Sequence, residues 1–290
     1  MREATEAAAA HAGEVRRGDR FEFGKNWQRF LDVLDDDRIA EAELSLREML
    51  GADSLEGRNF LDVGSGSGLF SLAALRLGAN RVHSFDFDPA SVATTRELRR
   101  RYFADDPRWT IEQGSVLDAD FVDGLGLWDV VYAWGVLHHT GAMWRAVELA
   151  ASRVGEDGVL HLSLYNDQGR ATHGWRLVKR VYNRLPRPLR TPFAAAVAAP
   201  RELAALGLAV VLGAPARYVR RWTEYRRSRG MSRWHDIVDW VGGYPFEVAK
   251  PEEVFEFLKA RGFQLERLTT VAGRSGCNQY VFRRVDATAR

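Results

Sequence analysis

The sequence predicts an α/β fold built on a doubly wound, mostly parallel sheet with a helical insertion after the fifth strand. Three observations carry that expectation. Asn59 to Ser71 (NFLDVGSGSGLFS) runs from a short apolar strand through Gly64, Gly66 and Gly68 into an apolar helical pattern. Strand-like and helix-like patterns then alternate as far as Asn166 and resume at Pro251. Between them, residues 167–249 break the alternation with helical patterns rich in arginine and punctuated by proline. Such alternation gives parallel strands with helices on both faces and puts ligands outside the carboxyl ends of the strands.

Composition sets outer limits. With 290 residues, 46% apolar and 28% charged, the chain suits one α/β domain carrying an insertion. The net charge is only +2, yet residues 167–249 hold about fifteen Lys and Arg against about six acids, so the remainder is net acidic. A single cysteine, Cys277, excludes an internal disulfide and suits a reducing compartment. Ala7 to Ala10 is too short for a secretory apolar region and is followed by His11, Glu14 and Arg16. The apolar run from Phe193 to Leu212 is interrupted by Pro200, Arg201 and Glu202, so no bilayer span is expected. The expected setting is cytoplasmic.

In order, residues 1 to about 18 are alanine- and charge-rich, and a frayed start is expected there. Phe21, Phe23, Trp27, Phe30 and Leu31 either staple a leading segment to the core or lie over a ligand mouth as a lid. Ile39 to Leu50 has the apolar spacing of an amphipathic helix, closed by Gly51. After the glycine turn, Arg81 to Asp86 reads as the second strand and Pro89 opens the next helix. An acid at the end of that strand is placed to accept hydrogen bonds from ribose hydroxyls, and Asp86 is the candidate. Asp88 reads instead as a helix N-cap.

Trp109–Gln113, Asp129–Leu137 and Gly158–Asn166 read as strands three to five, with a helix from Ala142 to Val154 before the fifth. Helical patterns follow at Trp175–Leu185, Arg201–Leu212 and Ala216–Arg229. An aromatic stretch, MSRWHDIVDWVGGYPFE, ends the insertion. Pro251–Arg261 is an amphipathic helix, and Phe263–Val271 with Cys277–Val285 reads as an antiparallel edge hairpin, making seven strands. The expected divisions are a helical lead or lid over 1–57, a ligand-binding core over 58–166, a basic helical insert over 167–249, and a closing helix and hairpin over 250–290.

The glycine turn is G-x-G-x-G, with Leu69 where a dinucleotide site has Gly or Ala. Together with LDVGSGSG at 61–68, FDFDP around Asp86, QGSVLD at 113–118 and DVVYAWGVLHH at 129–139, the chain resembles the class I S-adenosylmethionine-dependent methyltransferases. The likeness is to the type-11 and type-12 group that includes ubiquinone-biosynthesis O-methyltransferases. It implies the Rossmann-like methyltransferase fold, a doubly wound mostly parallel seven-stranded sheet, with S-adenosyl-L-methionine as cofactor. By the resemblance, Asp62, Gly64, Ser65 and Gly66 would hold the methionine part and Asp86 the ribose. Phe87 would lie against the adenine, Ser115 and Val116 would edge it, and Trp134, Gly135 and Val136 would border the sulfonium. The ubiquinone-synthesis relatives have an acid before the second histidine; His138 stands there in this chain.

The chemistry asks mainly for alignment and exclusion of water, because the methyl group arrives activated. A hydroxyl acceptor also benefits from a base, and His138, His139 and His235 are the neutral-pH candidates, each with a structural role as the alternative. No three-ligand metal set is visible. The insert is expected to cap the acceptor side. Its arginines would meet an anionic small molecule, a membrane surface or, ranked last, RNA. An O-methylated metabolite or quinone precursor leads; an RNA methyltransferase and a non-catalytic cofactor-binding scaffold are the alternatives.

Overall fold

The computed structural model describes residues 2–32, 34–223 and 233–285. Its centre is a seven-stranded sheet in the order β3-β2-β1-β4-β5-β7-β6. The strands are β1 (Asn59–Val63), β2 (Arg81–Asp86), β3 (Trp109–Gln113), β4 (Trp128–Trp134), β5 (Val154–Tyr165), β6 (Phe263–Thr269) and β7 (Cys277–Arg284). β1 to β5 pair in parallel, while β7 runs antiparallel to both β5 and the edge strand β6. The chain winds outward from β1 to β3 and returns to β4 on the other side of β1. That reversal opens a crevice at the carboxyl ends of β1 and β4.

Strand periodicity divides the core. Alternate residues point to opposite faces, so Leu61, Val63, Val131 and Ala133 enter one apolar layer and Phe60, Val130 and Tyr132 the other. The first layer is closed by α7 (Met143–Ser152) and α12 (Pro251–Lys259). The second is closed by α3 (Asp36–Leu50), α4 (Leu69–Arg76) and α5 (Pro89–Tyr102). Each fully buried large apolar side chain contributes about 1.5–3 kcal/mol. α6 (Ala119–Gly124) bridges β3 and β4, and Asp35 caps α3 by accepting the Arg38 N–H. Gly51 ends α3 in the left-handed region, as its position implies.

A third, smaller core joins the chain's beginning to its insertion. α1 (Arg2–Arg17) and α2 (Gly24–Phe30) precede the sheet. α8 (Arg170–Arg184), α9 (Arg187–Val211), α10 (Pro215–Thr223) and α11 (Arg233–Gly242) follow β5. Phe21 packs with Tyr182, Ala194 and Val241, and its N–H donates to the Tyr244 carbonyl.

Several expectations are corrected. The start of the chain is helical rather than frayed, and His11 is buried against the Phe87 ring. β4 stops at Trp134; Gly135, with φ +74°, turns the chain into a 3-10 turn at Leu137–His139. β5 begins earlier than expected, at Val154. α8 also begins earlier, at Arg170. Pro192 and Pro200 do not divide α9, which continues for 25 residues. Pro200 deprives the Ala196 carbonyl of its partner, but Ala196 is exposed and water can replace it. By length and composition α9 is therefore long and apolar enough to cross a membrane, contrary to the expectation from sequence. Part of the third insert pattern, residues 224–229, lies outside the described residues.

Candidate active site

A cavity of about 1180 Å³ follows the crevice from the glycine turn to the insertion. One end is built by the turn between β1 and α4. Gly64, Gly66 and Gly68 take φ of +72°, +56° and +79°. A β-carbon on Gly64 would sit 2.3 Å from Val136 Cγ2, and one on Gly68 would sit 2.7 Å from Thr95 Cγ2. Glycine is thus required by both backbone conformation and close approach.

The turn uses its own amides. Gly64 and Ser65 N–H both donate to the Phe85 carbonyl, at 2.8 and 3.1 Å, and Gly68 N–H donates to the Ser65 carbonyl at 2.8 Å. Gly66 N–H donates to Asp86 Oδ2 at 2.9 Å, while Asp86 Oδ1 accepts the Asp88 N–H at 2.8 Å. Burial outweighs these donors and pushes the Asp86 carboxyl up to about 6. Asp62 is buried beneath the turn, accepts from Ser71 Oγ at 2.5 Å, and is raised to about 7 by loss of water. Ser71, Ser84 and the Trp109 indole continue that network into the sheet.

Asp88 is the N-cap of α5, as expected, accepting the Ala90 N–H at 2.9 Å. It also accepts the Gly24 N–H at 2.8 Å and faces His11 Nε2 at 3.5 Å, so one carboxylate fastens α1 and α2 to the sheet. The Arg20 guanidinium lies 5.0 Å from the centre of the Phe87 ring and donates to the His139 carbonyl at 3.0 Å. Phe21, Phe23, Trp27 and Phe30 all line the cavity. The aromatic lead is therefore both a staple and part of the cavity wall.

The other end is aromatic. His138 and His139 stack edge to face at 4.4 Å, and His138 lies 4.0 Å from Tyr165 at the end of β5. Both imidazoles are held neutral. Burial puts His138 well below the usual histidine range and His139 at about 3, even though His139 Nδ1 bonds the Pro245 carbonyl at 2.6 Å. His138 Nδ1 has no hydrogen-bond partner. Trp175 and Trp240 meet at 5.3 Å, and Trp240 lies 5.7 Å from Tyr165. Behind this wall Lys179 is buried, donating to the Trp240 carbonyl amid the rings of Trp240, Phe246 and Tyr165, at 4.7, 4.8 and 5.9 Å. Loss of water lowers its ammonium to about 7.

One cavity thus brings together Asp62, Gly64, Ser65, Gly66, Asp86, Phe87, Ser115, Val116, Trp134, His138 and His139. His235 is on α11, but its side chain lies outside the described residues. Sequence reading missed His11, Arg20, Trp175 and Lys179. His11 sat in a stretch expected to fray, Arg20 lay just beyond it, and the last two looked like ordinary members of a basic helix. Among the described residues no group of three His, Cys, Asp or Glu is arranged to hold a metal ion.

Comparison with known proteins agrees with this geometry. Residues 61–160 match the model of a methyltransferase domain family. The chain is similar to the ribosomal protein L11 methyltransferase of Halorhodospira halophila, 40% identical over 77 residues, which is 26% of each chain. It is 44% identical to that of Alteromonas mediterranea over 63 residues, 22% of this chain and 21% of the relative. The chain therefore spans only about a quarter of the length of these curated relatives. The fold also resembles magnesium protoporphyrin IX methyltransferase from Synechocystis, solved with S-adenosylhomocysteine, at 14% identity and a TM-score of 0.51, covering 90% of this chain and 94% of that one. The likeness to ubiquinone-biosynthesis enzymes rests on the sequence motifs alone. The sheet order, the glycine turn and the family match agree in making residues 61–160 similar to a methyltransferase domain.

Proposed function

We propose that the protein transfers a methyl group from S-adenosyl-L-methionine to a hydroxyl of a small molecule, a metabolite or a quinone-like or natural-product precursor. The observation that carries this reading is a cavity in which an acidic glycine turn and an aromatic, histidine-bearing wall share one space. A dinucleotide needs amide donors for its pyrophosphate. Here the amides of Gly64, Ser65, Gly66 and Gly68 bond within the protein, and a buried carboxylate, Asp62, and a half-buried one, Asp86, stand beside them. That donor set suits a ligand bearing an ammonium and a sulfonium, whose charge would favour ionised Asp62 and Asp86.

Bound there, the cofactor would supply a methyl group already activated for displacement. Asp62, Gly64, Ser65 and Gly66 would hold its amino-acid end, Asp86 its ribose, and Phe87, Ser115 and Val116 its base. Trp134, which lines the same cavity, would border the sulfonium. His138 Nδ1, neutral and without a partner, would accept the hydrogen bond of the incoming hydroxyl and hold its proton. His139, bonded to Pro245, fixes the turn that presents His138. α8, α9 and α11 form the acceptor cap. Cys277 suits a reducing, cytoplasmic setting.

The test is transfer of labelled methyl from S-adenosylmethionine to fractions of a cell extract. The reading expects label in the small-molecule fraction, and far less with a Gly64→Ala variant at the same low cofactor concentration. Label confined to RNA or protein would replace the acceptor class, and binding without transfer would leave a scaffold.

A further inference from the structure

The insertion leaves its most apolar helix facing water. In the described structure α9 buries only Ala194, while Leu203, Leu208, Val210, Val211 and Leu212 are exposed, Val211 by 83%. Val210–Leu212 enter the turn at Gly213–Ala214, and exposed Val219, Arg217, Arg220 and Arg221 leave it on α10. An apolar surface of this kind is uncommon on a water-facing helix and marks an interaction site. Its charge is one-sided. From Arg170 to Thr223 there are eleven Lys and Arg and one acid, Glu202. Glu202 is ion-paired with Arg233 and accepts from Tyr218 Oη at 3.2 Å.

We propose that α9 and α10 seat on an anionic lipid surface, lying in its plane. Leucine and valine side chains at the α9–α10 turn enter the acyl boundary, and the arginines reach lipid headgroups. Crossing is disfavoured by the middle of α9: Arg201 and Glu202 sit there, and Val197, Ala198 and Pro200 line the cavity beside them. A second copy fits less well, because a two-fold contact would set this arginine cluster against itself with no exposed acid among α8–α10 to answer it. RNA would leave the leucines and valines in water. Resting on the proposed function, the same placement gives the acceptor class, an amphiphile that enters the cavity past α9 from the lipid side.

The test uses the full chain and vesicles of phosphatidylcholine with or without about 30% phosphatidylglycerol, read by co-sedimentation at low and high salt. Binding to the anionic vesicles should be about tenfold tighter and weaken with salt. Leu208→Asp/Val211→Asp should abolish it at any salt, and Arg217→Glu/Arg220→Glu should remove the preference for anionic lipid. Affinity for S-adenosylhomocysteine should stay unchanged in both variants, which also reports that they fold. Failure of S-adenosylhomocysteine to bind wild type would overturn the proposed function and leave the lipid result standing. Absence of vesicle binding by wild type would overturn the lipid proposal, as would variants that bind like wild type. A dimer in size-exclusion that Val211→Asp dissolves, without vesicle binding, would assign the face to a second copy. Binding of RNA in place of vesicles, lost only in the arginine variant, would also refute it.

Discussion

The two ends of the cavity are built in different ways. At the glycine turn the bonds stay inside one short stretch: Gly66 to Asp86, Ser65 to Thr95, Asp62 to Ser71. At the cap they join segments far apart: Arg20 to His139, Gly141 to Glu247, Lys179 to Trp240. A local module of this kind holds its shape independently of the cap. A wall assembled from the first helices, β5 and a long insertion can be rebuilt for another acceptor without disturbing that module.

The sharpest way to break this contrast is at the turn itself. Gly64→Ala should lower affinity for S-adenosylhomocysteine about a hundredfold, since its β-carbon meets Val136 and the left-handed backbone adds about 1–2 kcal/mol of strain. Gly57→Ala has a similar φ, +77°, but open space around it, so it should lose stability and keep its affinity. Equal losses in calorimetry would show that strain, not the shape of the turn, governs binding.

Buried neutral histidines occur away from the cap as well, which allows a second comparison. His161 stacks on Tyr132 at 4.7 Å inside the sheet, and burial holds it at about 3. Its folded pKa lies below the unfolded value of about 6.5, so the unfolded chain takes up more protons as pH falls through that window and stability is lost. His161→Phe should remove this term. Relative to wild type, the variant should gain about 2 kcal/mol at pH 5 compared with pH 8. A denaturation difference independent of pH would show that His161 is not held neutral.

A smaller effect separates acceptor from cofactor. Trp175→Ala removes a ring from the cap wall and should raise the acceptor KM about tenfold, near 1.4 kcal/mol, with S-adenosylhomocysteine affinity within about twofold. Cofactor affinity falling as far as KM rises would join the two ends into one unit.

The same contrast explains what was legible in the sequence. β1, β2, β3 and the edge hairpin follow from apolar alternation, and Gly64, Gly66, Asp86 and Asp88 from their places beside strand ends and helix starts. The cap was less readable because its contacts are long-range. Nothing in the first twenty residues signals that His11 reaches Phe87 or that Arg20 reaches Phe87 and His139. Pro200 resembled a helix break because sequence alone does not show that Ala196 faces water. Lys179 looked solvated because its ring neighbours, Trp240 and Phe246, lie more than sixty residues away in the chain. The 3-10 turn that aims His138 was hidden in an apolar run that read as strand through Leu137.

The central claim is that an acidic, internally bonded turn at the ends of β1 and β2 holds S-adenosylmethionine by its ribose and cationic end. Calorimetric titration of S-adenosylhomocysteine into wild type and Asp86→Ala tests it most directly. Wild type should bind in the micromolar range, about −8 kcal/mol, and not bind NAD. Asp86→Ala should lose about tenfold or more, from a charge-assisted bond of about 1.5–3 kcal/mol. Binding of NAD with no response to S-adenosylhomocysteine, or equal affinity in the two proteins, would contradict it.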